Sequence, residues 1–327
     1  MHTLKYLITF IFSCTVVFCN AQRPIPVIFD TDIAPDYDDV GALAMLHAFQ
    51  NKGDAKILAV ISCNAFETTV PTISVINTYF NHPEIPIGVV KRALPNKDCR
   101  QQWAQAIIAK YPHQMKSNSE AMEAVSLYRK ILATQPDASV TIISVGFFTN
   151  LANLLGSTKD EYSSLSGQEL IAKKVKQLVS MGAGLEKEGT SSHEFNVYVD
   201  AIAARKVLTE WPTPILLSGA EIGKKIITGS NLIANDKIQN SPVKDAYSGA
   251  LAFDKTPGRN SWDQTAVLVA IKGYSPYFDV RKLNFEIKDD GTNVLIPGDK
   301  LSYLVEKMPA ADVGNAIETL MMSTPNK

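Results

Sequence analysis

Pro26-Val27-Ile28-Phe29-Asp30-Thr31-Asp32-Ile33-Ala34-Pro35-Asp36-Tyr37-Asp38-Asp39 passes from an unbroken apolar tetrad into five carboxylates within ten residues. The tetrad has the continuous, branched apolar character of a strand buried on both faces. Directly after Asp39, residues 40–50 are apolar at helical spacing. Strand, acidic loop and helix in that order form the first half of a βα unit. The loop then lies outside the carboxyl end of a strand, where open α/β sheets bind ligands. Like charges crowded in this way repel one another unless something positive sits among them. A solvated acidic turn is the bland alternative, but a loop pinned between a buried strand and an apolar helix favours metal binding.

The same alternation continues along the chain. Residues 56–62, 140–145, 175–181 and 215–217 are short, apolar and branched, and read as parallel strands. Residues 70–80, 120–134, 151–156 and 201–210 between them read as amphipathic helices. This predicts an α/β fold, a single domain with a mostly parallel central sheet flanked by helices. Near the end, residues 280–287 and 293–296 flank Asp289-Asp290-Gly291, the turn chemistry of a C-terminal hairpin. No repeat or linker divides residues 22–327.

The first residues read as an export signal. Lys5 is followed by an apolar run over residues 7–18, and small Ala21 precedes Gln22. A signal peptide over residues 1–21, cleaved after Ala21, predicts a secreted or periplasmic protein. Lipidation at Cys14 or Cys19 is the competing reading, and bulky Phe12 and Phe18 beside them disfavour it. The run falls short of the ~20 residues that cross a bilayer, so no integral membrane association is expected. Only Cys63 and Cys99 remain after cleavage, too few for a disulfide framework. A formal net charge of -1, with no basic stripe interleaved with aromatics, argues against a nucleic-acid partner.

Carboxylate oxygens without His or Cys partners suit a hard cation, Ca²⁺ or Mg²⁺, rather than zinc. Calcium takes about six to eight oxygens in irregular geometry, which leaves room for a sugar diol.

At this point the chain resembles the nucleoside hydrolase family, marked by an amino-terminal strand ending in Asp-x-Asp and then Asp-Asp. Asp30 and Asp32 match the first element, and Asp38 and Asp39 the second, with a longer spacing that adds Asp36, as in a divergent branch. Three further segments recur in order. They are Ser144-Val145-Gly146-Phe147-Phe148-Thr149-Asn150-Leu151-Ala152, then Met181-Gly182-Ala183-Gly184 with Glu194-Phe195-Asn196, and finally Ser261-Trp262-Asp263-Gln264-Thr265-Ala266. Each alone has a plainer meaning: Thr149 or Asn150 capping a helix, Glu194 and Asn196 leading one, Asp263 capping another. Thr149 or Asn150 is expected to act as a cap in any case.

Together they imply a calcium-dependent N-ribosyl hydrolase acting on a small-molecule riboside, with Asp32, Asp39, Asp263 and the Val145 carbonyl as calcium ligands and Asp30 in support. Asp32 takes the proton of the attacking water, whose acidity the cation raises. Asp38, Met181, Glu194 and Asn196, on an extended segment in the last two cases, grip the substrate, and Asn64 joins them from the end of the second strand. Glu188 lies near an expected Asn. Trp262 stands where several members carry a His that protonates the leaving base, so stacking by Trp262 is the expected substitute, with Trp103 and His193 as weaker candidates. The resemblance also implies a homodimer or homotetramer. Purine, pyrimidine, nicotinamide and other ribosides all fit.

Two other classes share parts of the pattern. Haloacid-dehalogenase-type phosphatases also begin with an apolar strand and Asp-x-Asp, but leave Asp38-Asp39 unexplained. A secreted calcium-dependent riboside-binding protein without turnover would keep the sugar clamp and tolerate Trp262.

Overall fold

The computed structural model describes residues 23–91 and 95–325. The signal segment 1–21, and residues 92–94 of the loop 92–102, lie outside the described residues.

Among the described residues twelve strands form in chain order: β1 Ile25–Thr31, β2 Ala55–Ser62, β3 Ile87–Val89, β4 Met122–Glu123, β5 Val140–Ser144, β6 Val175–Met181, β7 Ser191–Ser192, β8 Ile215–Ser218, β9 Ile227–Thr228, β10 Arg259–Asn260, β11 Phe278–Ile287 and β12 Asn293–Glu306. The main sheet runs β11-β12-β8-β6-β5-β1-β2-β3-β4, with β7 added beside β12, while β9 and β10 pair separately. All neighbours from β12 to β4 are parallel, and β11 and β7 are antiparallel to β12. The chain leaves β1 toward β2 on one side and later returns to place β5 on its other side. That reversal makes the carboxyl ends of β1 and β5 the switch point of the sheet, where a crevice opens.

Side-chain alternation along β1 assigns Val27 and Phe29 to one core layer and Ile28 to the other. The first layer contains the helices Asp38–Asn51, Trp262–Lys272 and Ala310–Met321, which pack on one another. Helix Asp38–Asn51 is buried from Asp38 to Phe49, because sheet and neighbouring helices enclose it on all sides. The second layer contains helices Ala124–Thr134, Thr149–Leu155 and Ala201–Glu210. Full burial of each Leu, Ile or Phe contributes about 1.5–3 kcal/mol. The chain therefore needs no disulfide, and Cys63 and Cys99 are free thiols.

Two expectations change. The helix expected over 120–134 begins only at Ala124, because Met122 and Glu123 pair with β3 as an edge strand and the Glu123 side chain caps the helix by accepting from Ser126 N at 2.8 Å. The second hairpin strand extends to Glu306 rather than ending at Ile296. It slips register opposite Leu283/Asn284 and then pairs with β8 through residues 301–303. Pro297-Gly298 reads as a strand end, but it forms the irregularity where Gly298, at φ +153°, lies against the Asn284 side chain. Among the described residues no helix is long and apolar enough to cross a membrane.

Gly146, just past β5, lies so close to β1's trailing loop that a Cβ would sit 2.5 Å from Asp32 N and 2.7 Å from Cys63 Sγ. Gly146→Ala is expected to lower stability by about 1–3 kcal/mol in urea unfolding, the usual range for overpacking. Gly249→Ala, inside a helix with nothing within 4 Å of the new methyl, should instead raise it by up to ~1 kcal/mol.

Candidate metal centre and substrate cavity

A cavity of about 440 Å³ opens at the switch point. Asp32 reaches it from the end of β1, Asp38 and Asp39 from the first turn of helix Asp38–Asn51, and Val145 from the end of β5. Asp263 arrives from the first turn of helix Trp262–Lys272, more than two hundred residues later in the chain. Both helix N-termini carry partial positive charge, which favours carboxylates there. Ligand oxygens of Asp38, Asp39 and Asp263 all lie within 4.8 Å of one another.

Asp32, Asp38, Asp39 and Asp263 are each no more than 4 % exposed. The Thr31 hydroxyl donates to Asp39 Oδ1 and also accepts from Ile33 N at 3.1 Å, so one threonine holds both the turn and the carboxylate. Asp32 Oδ2 and Asp39 Oδ2 are buried with no hydrogen-bond partner among the described residues. Burial, with repulsion from the neighbouring carboxylates second, holds the Asp32, Asp39 and Asp263 carboxyls well above the usual carboxylate range.

Asp30 is set apart, since it does not line the cavity. Its Oδ2 accepts from the Tyr128 hydroxyl at 2.8 Å and Asn150 Nδ2 at 3.1 Å. Burial pushes its carboxyl up to about 7 against those two hydrogen bonds. Asn150 is thereby turned away from the capping role expected of it. Thr149 donates to Asp200 Oδ2 at 2.6 Å, and helix Thr149–Leu155 has no side-chain cap.

Glu194 and Asn196, expected on an extended segment, depart from it. Glu194 caps the short helix Phe195–Val199, with Asn196 in its first turn. Its Oε1 accepts from Asn196 N at 2.9 Å, and its Oε2 from Ala183 N and Val197 N at 3.1 Å each. Capping fixes Glu194, since free N–H groups at a helix start attract a carboxylate. Burial still pushes it up to about 7. Asn196 Nδ2 donates to the Val145 carbonyl at 3.0 Å and approaches the Met181 carbonyl at 3.4 Å. Val145, Met181, Glu194 and Asn196 thus meet on one wall, all lining the cavity.

Trp262 and Phe195 supply aromatic surface to the same cavity, and Trp262 Nε1 donates to the Ala220 carbonyl at 2.8 Å. Asn64 is not among the lining residues. Its amide brackets two loops, donating to the Asp32 and Lys97 carbonyls at 3.0 and 2.7 Å and accepting from Phe66 N and Lys97 N. Trp103 packs in the core, and exposed Glu188 lies off the cavity. His193 lines the cavity but donates through Nε2 to the Asp290 carbonyl at 2.9 Å and stacks on Tyr198 at 4.4 Å.

The sequence of this chain matches the profile of the inosine-uridine preferring nucleoside hydrolase family over residues 27–317. The chain belongs to that family. Among curated relatives, the pyrimidine-specific ribonucleoside hydrolase RihA of Salmonella enteritidis PT4 is 28% identical over 245 residues, covering 70% of this chain and 71% of the relative. The inosine-uridine preferring nucleoside hydrolase of Bacillus anthracis superposes with a TM-score of 0.68 at 16% identity, over 91% of this chain and 99% of that one. The purine-preferring ribonucleoside hydrolase of Gardnerella vaginalis gives 0.69 at 15% identity, over 91% and 98%. These superpositions show a shared nucleoside hydrolase fold.

Within this member of the family, Arg259 is a site residue that the sequence does not single out. Its Nε and Nη2 donate to Asp38 Oδ1 at 3.1 and 2.9 Å, and Nη2 also reaches Asp36. The guanidinium lies 4.9 Å from the Tyr37 and Trp262 ring centroids. The one available signal is charge balance, because a buried acidic cluster needs a counter-ion and Arg259, in β10, lies just before the helix that carries Asp263. That cation neutralises Asp38 and Asp36 but makes no hydrogen bond to Asp32, Asp39 or Asp263. The remaining donor set is carboxylate and carbonyl oxygen with two unpartnered atoms, which fits a hard divalent cation.

The raised carboxyls mean that the metal-free native state holds more protons than the unfolded chain. Its stability should therefore fall as pH rises from about 4, the ordinary Asp value, toward the raised native values. Thermal melts of chelator-treated protein across that range check the sign. Asp263→Asn is expected to raise the melting temperature of the metal-free protein; if a divalent cation binds the cluster, Ca²⁺ should raise that of the native chain, by about 2.7 kcal/mol at a hundredfold excess over Kd, and not that of the variant.

Proposed function

We propose that this protein hydrolyses the N-glycosidic bond of a ribonucleoside or related riboside, with Ca²⁺ as its resident cation, releasing base and ribose. The observation that carries the reading is that Asp32, Asp39 and Asp263, from opposite ends of the chain, line one cavity, where Asp32 and Asp39 each keep a buried oxygen with no partner among the described residues. Asp32, Asp39, Asp263 and the Val145 carbonyl would hold the ion. When bound, it supplies positive charge that makes water more acidic and orients the sugar hydroxyls.

The chain's own residues account for the remaining work. Cleavage passes through an oxocarbenium-like sugar, which the excess of carboxylates around the cavity stabilises electrostatically. Asp32 accepts the proton of the attacking water. Asp38 and the Asn196 side-chain oxygen offer acceptors to the sugar hydroxyls, while Asn196 Nδ2 is held by the Val145 and Met181 carbonyls and Glu194 fixes the wall from which Asn196 projects. Trp262 and Phe195 flank the base and exclude water from it.

The named preferences of the relatives differ, pyrimidine for the Salmonella protein and purine for the Gardnerella one, so kinship supports the reaction rather than a particular base. The proposal includes export from the cytoplasm, supported by Lys5, the apolar run and Ala21. It also includes assembly as a homodimer or homotetramer, supported by kinship.

A screen of ribosides with Ca²⁺ present, scored by reducing sugar released, tests the reaction. Asp32→Ala is expected to lower kcat/KM at least ~10²-fold on the best substrate, the lower end of what a general base contributes. Normal turnover by that variant would discard Asp32 as the base. Tight riboside binding with no base released over hours would instead support a binding protein, and phosphate release from an aryl phosphate would support a phosphatase.

A further inference from the structure

One wall of the cavity is carried by residues 182–199, between β6 and helix Ala201–Glu210, and brings Glu186, His193, Glu194, Phe195 and Asn196 to the lining. Its own secondary structure is slight: the two-residue strand β7 and the five-residue helix Phe195–Val199. So short a helix is marginal by itself, because fixing its first turn costs more order than its few hydrogen bonds return. Ala183 and Glu188 also take positive φ, at +59° and +50°, which side chains disfavour. The wall therefore depends on what it touches.

Toward helix Ala220–Lys225 it is tied by Leu185 N, which donates to Glu221 Oε2 at 2.9 Å, and by Glu186 paired with the exposed Lys224. The ties to the C-terminal hairpin are more numerous. Asn293 Nδ2 donates to the Gly184 carbonyl at 2.6 Å, and Leu295 N to the Thr190 carbonyl at 2.8 Å. Ser191 and Ser192 pair with Val294 and Asn293. His193 Nε2 donates to the Asp290 carbonyl at 2.9 Å. Gly291, at φ +85°, lies so close to the wall helix that a Cβ would stand 2.3 Å from Tyr198 Cα.

The hairpin is itself firmly held. β12 joins the main sheet at β8 through residues 301–303, and Phe285 and Ile287 of β11 are buried in the core. The turn is closed by Lys288 N on the Thr292 carbonyl and by Thr292 N on Asp290 Oδ1, both at 2.8 Å. Arg205, from the helix that follows the wall, donates to the Ile287 carbonyl at 2.9 Å and to Asp289 Oδ1 at 2.6 Å. Asn293 is wholly buried, and its Oδ1 has no partner among the described residues. A buried amide oxygen left unpaired costs stability, so the contact with Gly184 serves geometry more than stability.

We infer, resting on the riboside hydrolase reading, that Gly291 and Asn293 are positioning residues, through which the turn of the C-terminal hairpin holds Glu194 and Asn196 in place for the sugar. Neither residue lines the cavity, and both act through the backbone of residues 183–199. The carboxylates on the opposite side come from β1 and from helices Asp38–Asn51 and Trp262–Lys272, to which the turn makes no hydrogen bond among the described residues. Loosening the turn thus moves one wall of the site relative to the other, and the loss falls first on substrate affinity.

The test compares Gly291→Ala and Asn293→Ala with Gly298→Ala, which strains the same hairpin where a Cβ would meet Asn284 Nδ2 at 1.9 Å. A displacement of about 1 Å at a reacting site costs up to ~10²-fold. With Ca²⁺ present, KM for the best substrate among inosine, uridine and nicotinamide riboside should rise at least ~10-fold in the first two variants, with kcat changing less. It should stay within about twofold of native in Gly298→Ala. The amides of Ala183, Asn196 and Val197, which donate to Glu194, should exchange their hydrogens faster in the first two variants and not in the third. Asn293→Ala only removes atoms, and it carries the test should Gly291→Ala not fold. A smaller rise in KM, unchanged exchange, or an equal rise in Gly298→Ala overturns the inference and leaves the hydrolase reading intact. A native chain that cleaves none of the three ribosides overturns the hydrolase reading, and exchange alone then decides whether the turn holds the wall.

Discussion

Four carboxylates, Asp32, Asp38, Asp39 and Asp263, are held out of water around one cavity with a single guanidinium hydrogen-bonded among them. Burial and mutual repulsion both oppose their charged forms. Such a cluster survives only because the surrounding structure fixes each member independently. Thr31 grips Asp39, Arg259 grips Asp38, and the helix Trp262–Lys272 delivers Asp263 rigidly. A cation bound among them would relieve that repulsion and so stabilise the native state.

The sheet topology supplies the precision. β1 is interior, hydrogen-bonded to β2 and β5 over matched registers, so its trailing loop begins from a fixed point. The Val145 carbonyl follows β5 at the same level, and Val145 N donates to the Asp30 carbonyl at 2.8 Å. Gly146 allows the two loops to touch. Asp30 serves this arrangement from behind, bridging β1 to Tyr128 and Asn150 on the opposite layer rather than reaching the cavity.

What the sequence revealed follows from the range of each interaction. Residues 175–181 and 201–210 were read with the boundaries observed, because a continuous apolar run and an amphipathic period are local signals. Strands β3 and β4 are too short to show a period, and the lower half of β12 is hidden behind Pro297-Gly298. The helices Trp103–Lys110, Pro242–Asp254 and Ala310–Met321 were not assigned, although their burial makes them part of the core. In the site, the acidic run Asp30 to Asp39 was conspicuous because its members are adjacent. The roles of Thr149, Asn150 and Asn64 were not, since each is settled by a partner far along the chain or a loop across a crevice. A side chain able to cap its own helix is diverted when a buried carboxylate offers a charged acceptor, and charge-assisted hydrogen bonds are the stronger ones.

Arg259 divides the acidic cluster into two parts with different chemistry. Asp36 and Asp38 are compensated by a permanent cation that also lies against Tyr37 and Trp262. Asp32 and Asp39 retain oxygens with no partner, and Asp263 stands beside them. A divalent ion would be drawn to the uncompensated side, which would leave Asp38, shared with the guanidinium, to the substrate in the proposed reaction. Because Arg259 cannot release its proton, it orders the pocket electrostatically without acting as an acid. On that side the cavity wall is the aromatic surface of Trp262 and Phe195, with Arg259 packed against Trp262.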